Sequence, residues 1–376
     1  MSSMSRHSFT SLIASLCVIT FQAASLTAQS ITWWDKEFDA ALTAAKDKPT
    51  EMVLLYCWEE SDTCAAMFSG TMSDAKVAKA LDDFICMGIK NDDAGKEVWA
   101  RYKVGSVPLV LFVNPDGEVV DVLTGYVTIE QFVTDIERVK AGEQTIPSLR
   151  AKISTEPEDI QSAQVLVQKL RALQDISGSH DVIEAMIKVD PKGKSEAVAE
   201  GMLWKITDET FAEGIAPKDY DLAKLRVFLK SARHKRIKFL GHDQMATAHY
   251  QREDLKASAA SAMKAWKNIP DDQVIDWGQR MCGIAYRRWK DLDKANKSIL
   301  KNALKVSKKT LAAVEKLQKK QPDKTFLGNA MFLHAAILLV NKKRKDALKL
   351  MDDAIEIDPD NKNLKVWKDR WVSGAK

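Results

Sequence analysis

Cys57 and Cys64 are the residues best placed for chemistry, because thiol–disulfide exchange needs a thiolate and a partner thiol to resolve the mixed disulfide. A helix N-terminus stabilises the thiolate through its dipole and free N–H groups, and a CxxC motif at a helix start supplies both sulfurs. Here the segment at the start of a helical pattern reads Glu59-Glu60-Ser61-Asp62-Thr63-Cys64, so a serine stands three positions before Cys64. The surrounding anions Glu59, Glu60 and Asp62 raise a thiol pKa rather than lowering it. Cys57 lies at the end of an apolar run, seven positions before Cys64. Three states stay open for the two: a reversible redox pair, a structural disulfide, or two unpaired thiols. A bridge requires Cα atoms about 4.4–6.8 Å apart, which spacing alone does not fix. Cys86, inside the strand pattern FICMGIK, reads as an inert core residue.

Other polar clusters carry less. His234, His242 and His249 lack metal-ligand spacing and have no cysteine or acidic cluster to complete a site, so neither metal nor cofactor is expected. Gly193-Lys194-Ser195 resembles the end of a phosphate loop, but Lys188 stands where the first glycine belongs and no strand precedes it. His334 reads as packing, and the basic runs 233–236 and 342–345 read as solvated helix ends.

The elements around the cysteines alternate between helix and strand. Residues 33–46 show helical apolar spacing closed by Asp47-Lys48-Pro49, and Met52 to Tyr56 is a continuous apolar run suited to a strand buried on both faces. Helical periodicity runs from Thr63 through Ala80 with Asp62 placed to cap it, and Phe84 to Lys90 is a second strand. A helix near Glu97 to Tyr102 precedes two strands, Leu109–Val113 and Val119–Leu123, joined by an Asn114-Pro115-Asp116-Gly117 turn. A last helix spans about Thr128 to Val139.

From Ile31 to Lys140 this order, with Tyr102, Val104, Val107-Pro108, Phe112, Gly117 and Gly125, resembles the thioredoxin family. The Trp-rich opening that ends in Lys-Pro is similar to exported thioredoxin-like proteins in particular. The resemblance implies a cis Val107-Pro108 bond facing the active-site cysteines, Cys64 at the second cysteine of the family motif, and Ser61 in the nucleophile's place. Leu55 replaces the family's buried acid. It also implies that the backbone at Val107 and Pro108 pairs with an extended peptide, as in strand addition.

At 376 residues the chain is long enough for two domains, and 45% apolar with 29% charged residues is a globular composition. Residues 1–28, with Arg6, an apolar run from Leu12 to Phe21 and small residues ending at Ala28, read as a secretory signal. The run is too short for a membrane anchor. Residues 29–142 form the thioredoxin-like domain, residues 143–159 a Gly- and Pro-marked linker, and residues 160–376 an all-helical domain. The clearest helical repeat is residues 328–361, with Ala335, Leu338, Ala347, Met351, Ala354 and Pro359 at the positions of a tetratricopeptide unit. Residues 275–308 and a stretch ending at Val189 to Gly193 are weaker matches.

Charge separates the halves: about 11 basic against 21 acidic residues over 29–147, and about 44 against 31 beyond. The basic residues are interspersed with acids, and export argues against nucleic acid as the partner. The expected function is an exported, periplasmic or extracellular, binding or scaffold protein that contacts proteins or peptides. The alternative is a thiol–disulfide oxidoreductase or isomerase using Cys64 alone or Cys57 with Cys64. N-terminal sequencing of the protein expressed with its leader is expected to give a mature chain starting just after Ala28; an intact Met1 would contradict export.

Overall fold

The computed structural model describes residues 30–296 and 298–373, so the expected signal segment and Cys17 lie outside the described residues. The chain divides after Glu143 into two compact units.

The first unit runs α1 (Phe38–Ala45), β1 (Val53–Trp58), α2 (Asp62–Ser69), α3 (Ala75–Ala80), β2 (Ile85–Lys90), α4 (Lys96–Arg101), β3 (Leu109–Val113), β4 (Val119–Thr124) and α5 (Ile129–Lys140). The sheet order is β2-β1-β3-β4, with β1 parallel to β2 and the other neighbours antiparallel. The two continuous apolar runs, VLLYCW and LVLFV, are the two central strands, and β3 is buried at every residue. The Val107–Pro108 bond is cis and immediately precedes β3. The β3–β4 turn has Gly117 at φ +82°, where a glycine is needed, and the Asn114 side chain accepts from the Glu118 N–H at 2.8 Å. This small mixed sheet with flanking helices fits a thioredoxin-like fold.

Helix α5 closes one face by burying Phe132 and Ile136 completely, each burial contributing about 1.5–3 kcal/mol. Its Arg138 reaches the fully buried Asp121 of β4 at 2.6 Å and Asp135 at 3.0 Å, which fastens the helix to the edge strand.

Two expectations for this unit are corrected. The first helix starts at Phe38, not Trp33: Trp33 bridges to Cys86, and the Trp34 N–H donates to the Cys86 carbonyl at 2.7 Å. The outer edge of β2 takes this segment as a partial strand, satisfying backbone groups that would otherwise face water or another chain. The helix expected over 63–80 is two helices, broken at Gly70 and a 3-10 turn over Thr71–Ser73. There Asp74 starts α3 by accepting from the Lys76 N–H at 2.7 Å.

The second unit comprises α6 (Ile146–Thr155), α7 (Ile160–Ala172), α8 (Ile176–Val189), α9 (Glu196–Thr210), α10 (Ala223–Ser231), α11 (Lys235–Gln251) and α12 (Leu255–Lys267). It continues through α13 (Val274–Arg287), α14 (Trp289–Ala295), α15 (Ser298–Gln318), α16 (Lys324–Val340), α17 (Arg344–Ile357) and α18 (Lys362–Ser373). Most of residues 143–159 is therefore helix α6 rather than linker: Thr145 caps it and Pro147 sits in its first turn, where proline is tolerated. The strongest pairings are α11 with α12, α16 with α17, α15 with α16, α13 with α15 and α7 with α8, a succession of neighbouring helices that fits a helical-repeat domain.

The strongest repeat read from sequence is the α16–α17 pair, whose Ala335, Ala347, Met351 and Ala354 are fully buried between helices. The weaker one at 275–308 contains the extra short helix α14, which accounts for its degenerate pattern. Tyr286, Phe332 and Trp371 tie α13, α16 and α18 together, with the Trp371 Nε1 donating to the Tyr286 hydroxyl at 3.2 Å.

Helices α13 and α15 approach so closely that a Cβ on Gly278 would lie 2.0 Å from Thr310 Oγ1, a buried side chain. Gly278→Ala is expected to destabilise the helical unit by about 1–3 kcal/mol through overpacking, measured by urea unfolding followed by circular dichroism.

Candidate functional site

Strand β1 ends in Trp58, and two residues later the chain turns into α2 at Ser61. Ser61 is extended (φ −143°, ψ 154°) and its hydroxyl accepts from the Cys64 N–H at 3.3 Å. Ser61, rather than Asp62, is therefore the cap, and Asp62 is the first helical residue. A group that would be free to stabilise a thiolate at this terminus is already engaged by the serine. The Tyr56 hydroxyl donates to the Cys64 carbonyl at 3.0 Å and holds the first turn of α2 against the sheet. Burial first, and then the Cys64 charge, push the Tyr56 phenol well above its ordinary value, so it stays a donor.

All four cysteines of the described residues are free and buried. Cys64 is 1% exposed and Cys57 is fully buried. Successive strand residues point to opposite faces. Tyr56 packs in the cluster that contains Met67 of α2, so Cys57, next in the strand, faces the far side of the sheet. Burial raises the Tyr102 phenol to about 12, and Cys57 is among the neighbouring charges that add to it, which marks that far side. Cys57 thus faces away from Tyr56, and neither it nor Cys64 is bridged. Burial alone pushes the Cys57 thiol up to about 12, and burial is also the main cause of the rise of Cys86 to about 12. Cys86 is the core residue the sequence implied.

Cys57 pairs in register with Leu109, the residue after Pro108. Pro108 is buried, Val107 is half-buried, and Gly105 and Ser106 before them are exposed. The Pro108 carbonyl accepts from the Gly125 N–H at 2.8 Å, so the hairpin secures the proline from behind.

Beside α2 the structure brings together an aromatic surface that sequence reasoning did not find. Phe68 stacks on Trp33 at 6.2 Å and on Trp58 at 6.5 Å while remaining 49% exposed. Gly88 of β2 lies between the two indoles, which come within 3.8 and 3.9 Å of where its Cβ would sit. Lys90 lies over the Trp58 ring at 5.4 Å and pairs with Glu60 at 2.7 Å, leaving Glu59 and Asp62 as exposed acids. The only sequence signal was the local wealth of tryptophan, since the three rings come from three separate elements.

The remaining candidates resolve into structure. Ser195 caps α9, accepting from the Val198 N–H at 3.2 Å, while its own N–H donates to Asp190 at 2.8 Å; the apparent phosphate loop is a helix cap. Arg236 is more than a solvated helix end, because it pairs with the buried Glu200 at 2.5 Å. His334 Nδ1 meets the Ser307 hydroxyl at 2.8 Å in the interior of the repeat. Among the described residues no cluster of three or more His, Cys, Asp or Glu could hold a metal ion, and no helix is long and apolar enough to cross a membrane.

No family model and no curated protein matches the chain. Among solved structures it is similar to one described as DsbH oxidoreductase, at 15% identity over 32% of this chain and 90% of that one, with a TM-score of 0.26. It is also similar to YrrB, described as a TPR protein with an unusual peptide-binding site, at 15% identity over 59% of this chain and 97% of that one, with a TM-score of 0.35.

Because burial raises the folded-state pKa of Cys57 from 9.0 to about 12, the stability from its neutral thiol is whole below pH 9 and is lost as pH rises from 9 to 12. Urea unfolding is expected to show lower stability at pH 10.5 than at pH 8, with Cys57→Ala losing less over that interval. A pH-independent stability would contradict the buried neutral thiol.

Proposed function

We propose that this chain is an exported binding protein that uses a thioredoxin-like unit without a working dithiol, coupled to a helical-repeat unit, and acts through protein or peptide contacts. The observation that carries this reading is Ser61: its hydroxyl caps α2 through the Cys64 N–H at the position where a nucleophilic thiol would be needed. The burial of Cys57 and Cys64 as free thiols supports it further. The contact surface is the stretch before Pro108 together with the exposed ring of Phe68 and the half-buried rings of Trp33 and Trp58. An extended peptide adds main-chain hydrogen bonds at the first and apolar burial at the second. The exposed Glu59 and Asp62 favour a peptide with basic side chains over an acidic one.

The test is reduction of a small disulfide substrate with dithiothreitol as electron donor. The parent is expected to be inert, and Ser61→Cys, which completes CxxC with Cys64, is expected to gain activity. Reduction by the parent that is abolished in Cys64→Ala would overturn the proposal in favour of a thiol–disulfide oxidoreductase.

A further inference from the structure

The helical unit contains a second site that owes nothing to the cysteine-bearing helix of the first. Between α12, α13, α14 and α15 lies a cavity of about 280 Å³. That is several times the roughly 30 Å³ share of one water molecule and well above a 150 Å³ void that accepts benzene. Its interior is apolar: Trp277, Met281, Cys282 and Val306 form the deep wall, and Ala259 and Ala303 leave the space that larger side chains would fill. The Trp277 Nε1 points away and donates to Asp243 at 2.7 Å, so the ring presents only carbon to the cavity. Burial pushes the Cys282 thiol up to about 12, and the lining Ser258 hydroxyl already donates to the Ala246 carbonyl at 2.8 Å. The other polar lining residues, Tyr250, Asn296, Ser298 and Asn302, come from the end of α11 and from the α14–α15 side, so the polar groups sit apart from the Trp277 and Met281 wall of α13.

The charge on the lining is one-sided. Among the described residues no carboxylate lines the cavity, and the one formally charged lining residue is Lys256, which is exposed in the first turn of α12. The nearby Glu253 and Asp291 are both bound by Arg288, at 2.8 and 2.9 Å, so their charges are offset beside the opening. An apolar chamber with a single cation at its rim suits a ligand with an apolar body and one anionic end. The flexible walls of Met263 and Met281 suit an unbranched chain better than a flat ring. At the roughly 30 Å³ share of a water molecule the volume holds about nine groups of that size, which suits a medium-length chain.

We infer that the cavity between α12 and α15 binds a medium-chain carboxylic acid, its chain against Trp277 and Met281 and its carboxylate at Lys256. Calorimetric titration of the full-length protein with straight-chain carboxylates of six to fourteen carbons tests this, with 1-decanol and naphthoate as comparison ligands. Decanoate is expected to bind saturably at one per chain, tenfold or more tighter than decanol, and Lys256→Glu is expected to weaken it at least tenfold. Ala303→Phe, which fills the chamber, is expected to abolish binding. Met263→Ala, which enlarges it, is expected to move the preferred length upward by about two carbons, with circular dichroism showing that the variant is folded. Absence of saturable binding at millimolar acid would overturn the inference, as would decanol or naphthoate equalling decanoate. A length preference that Met263→Ala leaves in place would overturn it too, by putting the ligand elsewhere.

Discussion

The hydrogen bond from the Cys64 N–H to the Ser61 hydroxyl decides what the α/β unit can do. A helix start offers a small number of unsatisfied N–H groups, and the same groups can either cap the helix or hold an anion. With serine as the cap one of these N–H groups, that of Cys64, is engaged without a thiolate, and Cys64 lies buried in the first turn. The Tyr56 hydroxyl on the Cys64 carbonyl and the burial of Cys57 on the other face of β1 fit the same outcome. Local structure here serves packing, and the binding surface proposed above is aromatic and backbone-lined.

The helical unit shows a complementary economy of size. Where alanines sit at 335, 347 and 354, the paired helices bury them completely. Where alanines sit at 259 and 303, with short α14 inserted between longer helices, the same small residues leave a chamber. Small side chains permit close approach only when the backbone geometry allows the helices to follow; otherwise they leave volume.

Much of this was legible in the sequence because it depends on single segments. The apolar run from Met52 to Tyr56 is central strand β1 as read, and Leu109–Val113 and the Gly117 turn form the hairpin that local chemistry implied. What failed depends on competition between segments. Helical periodicity continued across Gly70 although the chain breaks there, and Trp33 fits a helix pattern but is taken by the free edge of β2. Pro147 looked like a boundary mark, yet proline in a first turn behind a Thr145 cap begins a helix. The ring surface of Trp33, Trp58 and Phe68 draws on a bridge, a strand and a helix, and the cavity on four helices. Neither has a signature within one stretch of sequence.

The central claim is that this thioredoxin-like unit has no working dithiol. The most direct measurement is to equilibrate the protein in glutathione buffers of graded potential, alkylate after unfolding, and count modified cysteines by mass spectrometry. The account predicts that Cys57 and Cys64 are recovered as free thiols across the range of about −120 to −270 mV in which exchange catalysts operate. A reversible two-thiol transition at Cys57 and Cys64 within that range would contradict it.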